Sequence, residues 1–193
     1  MRKVAIDNDR WRPHILGMIS TEQAVGFPER HEAAPYYFKV IERIPDPDVV
    51  GVLETQLEDA ALFLAGISDE RSGHRYEPGK WSIRQVVSHL ADSERVFLFR
   101  ALWFARGFTD PLPSYDQHVC ADAARAHELP WKSIVEELLA VRRASVLFFR
   151  NLPQEAWAKS GIASDNSFTV RALAYVLAGH WDHHLSVIEE RYL

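Results

Sequence analysis

The chain has 193 residues, 47% hydrophobic and 25% charged, with ten prolines, nine glycines and a formal net charge of -5. That composition suits one ordinary globular domain with a sizeable core and excludes disorder and collagen-like repetition. No Lys/Arg stripe is present to neutralise phosphates, apolar runs such as 60–65 are far shorter than the roughly 18 residues of a membrane span, and residues 1–20 lack a signal peptide's apolar centre, so neither nucleic acid nor membrane is an expected partner and a cytoplasmic location is expected.

Pro13, Pro28, Pro35 and Pro45 interrupt the first 45 residues everywhere except a short stretch at 36–44. Residues 1–45 therefore read as an irregular extension lying over a domain at 46–193. The first long helix follows Pro45-Asp46-Pro47 and runs to about Gly66, with Leu53, Leu57, Ala60 and Leu64 at three- and four-residue spacing and Asp46 or Asp48 as its cap. The second opens at Ser82, where Ser82 and Gln85 have the spacing of a capping box, and Trp81 and Val86 that of a hydrophobic staple. Its apolar stripe continues to about Ala105, before Gly107 and Asp110-Pro111.

After a loop at 107–114, a weaker helical pattern covers 117–127. The third long helix begins near Pro130, shows Ile134, Leu138, Val141 and Phe148 on one stripe, and ends at Pro153. The fourth begins at Thr169, a plausible cap, and runs to the terminus. No alternating strand pattern stands out, so the expected fold is all-α, a four-helix bundle with an irregular N-terminal extension. Its long connections leave the order of the helices open.

The lone cysteine, Cys120, forms no internal disulfide and reads as a small buried hydrophobe. Histidine is over-used, with nine copies. On a helical wheel of the last helix, His184 shares the core face with Leu173, Leu177 and Trp181, with His180 at its edge. His180 and His184 are four residues apart, the spacing by which one helix offers two ligands to one metal. A divalent ion needs at least one more protein ligand, and His89, on the flank of the second helix's apolar stripe, is the best candidate. Three imidazoles leave coordination positions for water or substrate. Hydrogen-bonded core histidines fit the same spacing, and no H-E-x-x-H pattern is present.

Other polar residues carry two readings each. Asp92 and Glu94 either orient the His89 ring or are solvated helix carboxylates, and Asp116 either reaches the open side of the site or caps a turn. His183 falls on the flank, toward solvent or an interface, while His14, His31, His74, His118 and His127 read as surface residues. Trp103, Phe104, Phe148 and Phe149 read as core or interface material.

The segment from Gly79-Lys80-Trp81-Ser82 through His89-Leu90-Ala91-Asp92-Ser93-Glu94-Arg95 closely resembles the second-helix signature of the DinB-like (YfiT-like) proteins. Thr169-Val170-Arg171 through Gly179-His180-Trp181-Asp182-His183-His184 resembles that family's fourth helix, and the pieces Pro111-Leu112-Pro113-Ser114-Tyr115-Asp116-Gln117 and Phe149-Arg150-Asn151-Leu152-Pro153 also read like its members. The resemblance spans roughly 48–193. It implies a four-helix bundle, commonly a homodimer, that binds nickel, zinc or a similar divalent transition metal through His89, His180 and His184. Relatives include thiol-dependent S-transferases and a mycothiol-dependent isomerase, while many others have a metal site and no assigned activity.

The preferred expectation is a metal-dependent enzyme of S-transferase or hydrolase type, acting on a small-molecule substrate, with a low-molecular-weight thiol as one candidate. The rival is a non-catalytic bundle in which the ion, or a plain hydrogen-bond network, ties the helices together. A small-molecule binder using the same cleft is the third reading.

Overall fold

A computed structural model describes residues 25–193. Its elements in order are α1 (Phe38–Ile41), α2 (Val49–Ala65), α3 (Asp69–Ser72), α4 (Ile83–Ala105), α5 (Gln117–Ala123), α6 (Trp131–Arg150), β1 (Ser160–Ala163), β2 (Asn166–Thr169) and α7 (Val170–Arg191). The four long helices form the bundle. His14 and most of the proposed extension lie outside the described residues.

Local capping chemistry starts each long helix. Asp48 accepts from Gly51 N at 3.0 Å to open α2. At α4 the Ser82 side chain accepts from Gln85 N while Gln85 Oε1 accepts from Ser82 N at 3.1 Å, so the expected capping box is complete. Pro130 has no side chain to cap α6, and Asp69 on α3 substitutes by accepting from Trp131 N at 2.9 Å. Thr169 Oγ1 accepts from Ala172 N at 3.0 Å at the start of α7. Gly107, at φ 86, ends the second long helix in the left-handed conformation that only glycine adopts without cost.

Helix α2 packs on α6 and α7, and α4 packs on the same two. The order around the bundle is therefore α2, α6, α4, α7, with the consecutive helices α2 and α4 on one diagonal. Helices α6 and α7 occupy the other diagonal. The long connections have to cross the ends of the bundle, which is why they exceed the turns of an up-down arrangement.

Two local features differ from the sequence expectation, one in the 151–169 connection and one after α5. The 151–169 connection holds an antiparallel hairpin, with Ser160 paired to Thr169 and Ala163 to Asn166. Its two-residue turn uses Ser164 and Asp165 at φ 51 and 59, the left-handed pair usually signalled by Asn-Gly. The 117–127 pattern breaks after α5, because Arg125 adopts φ 49 before a short 3-10 turn at Ala126–Glu128. Residues 25–44 are tied to the bundle: Val25, Phe38 and Ile41 join the buried core, and Thr169 Oγ1 donates to Glu32 Oε2 at 2.6 Å. Helix α1 approaches α7 so closely that a Cβ on Gly179 would lie 2.0 Å from Val40 O, so only glycine fits there.

Among the described residues the core has two buried clusters, one around Phe104, Phe149, Phe168 and Leu173, the other around Leu90, Ile134, Trp181 and Ile188. A charged network sits between the helices. Arg142 on α6, with a fully buried side chain, donates from Nε to Glu94 Oε2 on α4 at 3.0 Å and from Nη1 to Gln56 Oε1 on α2 at 2.9 Å. Gln56 Nε2 in turn donates to Ala178 O on α7 at 3.0 Å, and the guanidinium lies 3.9 Å from the Trp181 ring centroid. All four long helices are joined through this one arginine. No described helix is long and apolar enough to cross a membrane.

Candidate metal centre

Helices α4 and α7 pack side by side and bring His89, His180 and His184 together. His89 is 2% exposed, while His180 and His184 are half-buried. His180 Nε2 stands 3.3 Å from His89 Nε2 and 3.1 Å from His184 Nε2. One ring nitrogen carries either one proton or one lone pair, so hydrogen bonding alone cannot satisfy both contacts well. Three imidazole nitrogens each about 2.1 Å from one ion stand about 3.0–3.4 Å apart, so the observed spacing fits a shared cation. The candidate ligand atoms of this trio all lie within 4.8 Å of one another.

The protonation state favours the same chemistry. Burial pushes His89 down to about 4, with His118 adding to the effect. Burial likewise takes His180 to about 3 and His184 to about 2, helped by the neighbouring imidazoles. A metal requires neutral imidazole, and the folded chain supplies it without competition from protons at neutral pH.

A pH effect on stability follows. In the unfolded chain these rings titrate near 6.5, about their ordinary value. The unfolded state therefore binds more protons than the folded state as pH falls below about 6.5, and stability falls with it until the folded values are reached. Metal-free protein should melt at a lower temperature at pH 5 than at pH 7. An equal or higher melting temperature at pH 5 would contradict neutral burial of the three rings.

Aromatic rings flank the trio. The Trp81 ring centroid lies 4.9 Å from that of His89 and 5.4 Å from that of His118, and Phe97 lies 5.8 Å from His180. His118 is exposed, as expected of a surface residue, with its ring tilted against this tryptophan. His183 is exposed, with its ring 5.1 Å from that of His184.

Neither reading of Glu94 holds. It is 3% exposed, so it is not solvated, and its partner is Arg142 rather than an imidazole. Asp92 is half-buried and pairs with Arg95 at 3.4 Å. Asp116 is exposed and caps α5, accepting from His118 N at 2.8 Å and Val119 N at 3.2 Å. Cys120 is half-buried rather than buried. Sequence reasoning passed over the hydroxyl nearest the imidazoles: Ser93 Oγ lies 3.3 Å from His89 Nδ1 and 3.4 Å from its Nε2. Its position one turn after His89 was a readable signal.

A family model described as the DinB superfamily matches residues 53–188, a span that includes all three histidines. The chain belongs to the DinB superfamily. Among curated relatives, a protein of Oceanobacillus iheyensis named "putative metal-dependent hydrolase" is 27% identical over 139 residues, covering 71% of this chain and 79% of that one. A Geobacillus thermodenitrificans protein of the same description is 34% identical over 98 residues, covering 48% of this chain and 53% of that one. Among solved structures, YfiT from Bacillus subtilis, described as "a probable metal-dependent hydrolase with an unusual four-helix bundle topology", matches with a TM-score of 0.63 and 19% identity. That match covers 86% of this chain and 91% of YfiT, and it shows the fold. This DinB-superfamily chain is a mainly helical four-helix bundle.

Proposed function

We propose that this chain is a metal-dependent enzyme in which His89, His180 and His184 hold one divalent transition metal, zinc or nickel, and in which hydrolysis of a small-molecule substrate is the principal chemistry. The convergence of three Nε2 atoms 3.1–3.3 Å from neighbour to neighbour carries the reading. The hydrolase names of the two curated relatives support the reaction class. An all-imidazole donor set suits zinc and nickel, and such an ion, when bound, supplies Lewis acidity that lowers the pKa of a water or a thiol. Transfer of a thiol to an electrophile is therefore the second arm of the same site.

The chain's own residues do the rest. Trp81 packs tilted against His89 and Phe97 edge-on against His180, an apolar surround that limits water beside these imidazoles. His180 and His184 are half-buried, so part of the cluster is within reach of solvent, the side from which a substrate would approach. Arg142 already joins all four helices, a staple made of the chain's own side chains.

The test is reconstitution with zinc or nickel, followed by turnover assays on esters, amides and a thiol-plus-electrophile pair. Turnover of one class should vanish with chelator, return with metal and be absent from His180→Ala. One tightly held equivalent of metal, no turnover of any class and no exchangeable water would overturn the catalytic reading in favour of a structural ion.

A further inference from the structure

Two hydroxyls beside the imidazoles lie outside the ligand set. Ser93 Oγ is 3.4 Å from His89 Nε2, the nitrogen that faces His180, and 2.7 Å from the Tyr115 hydroxyl. Ser93 is fully buried on α4 and Tyr115 is half-buried, reaching in from the connection to α5.

That connection is held firmly. Leu112 N donates to Ile162 O at 2.9 Å and Ser164 N donates to Leu112 O at 3.0 Å, so Leu112 extends the hairpin by one bridge. Arg100 Nη2 reaches Pro113 O at 3.2 Å and Ser164 Oγ at 2.7 Å. Arg100 is 3% exposed and has no carboxylate partner among the described residues. Burial of this guanidinium costs desolvation, which its oxygen contacts and the Phe97 ring 5.8 Å away offset in part, so those contacts hold it in place. On the far side, Asp116 fixes the chain by capping α5. Tyr115 thus sits between two anchored points and is presented to Ser93 in one orientation.

Two hydroxyl groups have two protons, and their mutual hydrogen bond uses one. Burial holds the Tyr115 phenol above its ordinary range, so both protons stay in place at neutral pH. When Tyr115 is the donor, the Ser93 O–H remains; among the described residues it has no carbonyl partner, and the groups near it are the ring nitrogens of His89. With Nε2 engaged in the ligand set and Nδ1 protonated, that O–H is left to face whatever small group shares the centre.

We propose that Ser93 and Tyr115 form a hydrogen-bond donor pair for the exchangeable ligand of the centre, selecting substrates that present an anionic oxygen, nitrogen or sulfur donor there. The inference rests on the metal reading of His89, His180 and His184. Ser93 is the contacting residue and Tyr115 is a positioning residue that acts through it.

The test uses parent, Ser93→Ala and Tyr115→Phe proteins loaded with cobalt(II), titrated with azide and followed by the visible absorption of the metal. All three should hold about one equivalent of cobalt and melt within a few degrees of one another. Azide should bind about tenfold more weakly to each variant, as expected for loss of one hydrogen bond to a charged partner. The double variant should be no weaker than Ser93→Ala, because the hydroxyls act in series. If one variant fails to fold, the other decides. Azide affinity within twofold of parent would overturn the pair's role and leave the metal reading intact, whereas loss of cobalt from the variants would recast the hydroxyls as supports of His89. A parent protein that takes up no cobalt, zinc or nickel would overturn the functional proposal, and this inference with it.

Discussion

His180→Ala is expected to abolish metal retention while leaving the bundle folded. His180 Nε2 is the nitrogen in contact with both other imidazole nitrogens, so its removal leaves two imidazoles that no longer share a neighbour. Loss of one of three protein ligands should lower affinity by at least about a hundredfold, from roughly one equivalent after dialysis to below about a tenth. Structural damage should be small: the ring is half-buried, and a deeply depressed pKa means that no ion pair is lost. Alanine also has high helix propensity. Metal content by elemental analysis, read beside helical circular dichroism, checks this. Undiminished metal in a folded variant would remove His180 from the ligand set.

The largest effect on stability is expected at Glu94. Replacing it with leucine leaves the Arg142 guanidinium, 0% exposed, without its carboxylate at the centre of the bundle. Removing one member of a buried pair costs about 3–5 kcal/mol, most of it the penalty of stranding the other charge. For a domain of this size that is a fall in melting temperature of about 10 °C or more. Pairing Glu94→Leu with Arg142→Met should recover part of the loss, because the stranded charge is gone and the methionine can fill the space. Recovery will be incomplete, since Gln56 and the face of Trp181 also lose their arginine contacts. A double variant less stable than Glu94→Leu would show that packing around Arg142, rather than its charge, governs the centre.

Parts of this molecule were legible in the sequence because the physics that fixes them is local. The starts of α4 and α7 depend on side chains within three residues of the cap, at Ser82 with Gln85 and at Thr169. The same holds for His180 and His184, placed one turn apart by helical geometry alone. His89 required more: spacing within one helix cannot say which neighbouring helix meets α7, so its place on the flank of the second helix's apolar stripe made it a candidate, and the resemblance to the DinB-like signature pointed to the same residue.

What stayed hidden depends on contacts distant in sequence. The hairpin's strands are four residues each, too short for an alternation to register, and its Ser164-Asp165 turn lacks the glycine that usually marks the left-handed pair. Glu94 and Arg142 look like ordinary helix charges until α4 and α6 face each other. The docking of residues 25–44 is written at Gly179, a position where a sequence shows only a weak helix former inside a helix. Tyr115 reaches Ser93 only because Arg100 and the hairpin hold its loop. Those long-range supports surround the site, so local reading reached the three clustered histidines more readily than the hydroxyls beside them.

X-ray absorption spectroscopy of the zinc-loaded protein tests the central claim most directly. The account predicts three imidazole nitrogens at about 2.0–2.1 Å, one or more light-atom scatterers from solvent and no sulfur. A sulfur scatterer at about 2.3 Å, which would bring in Cys120, or fewer than three imidazoles would contradict it.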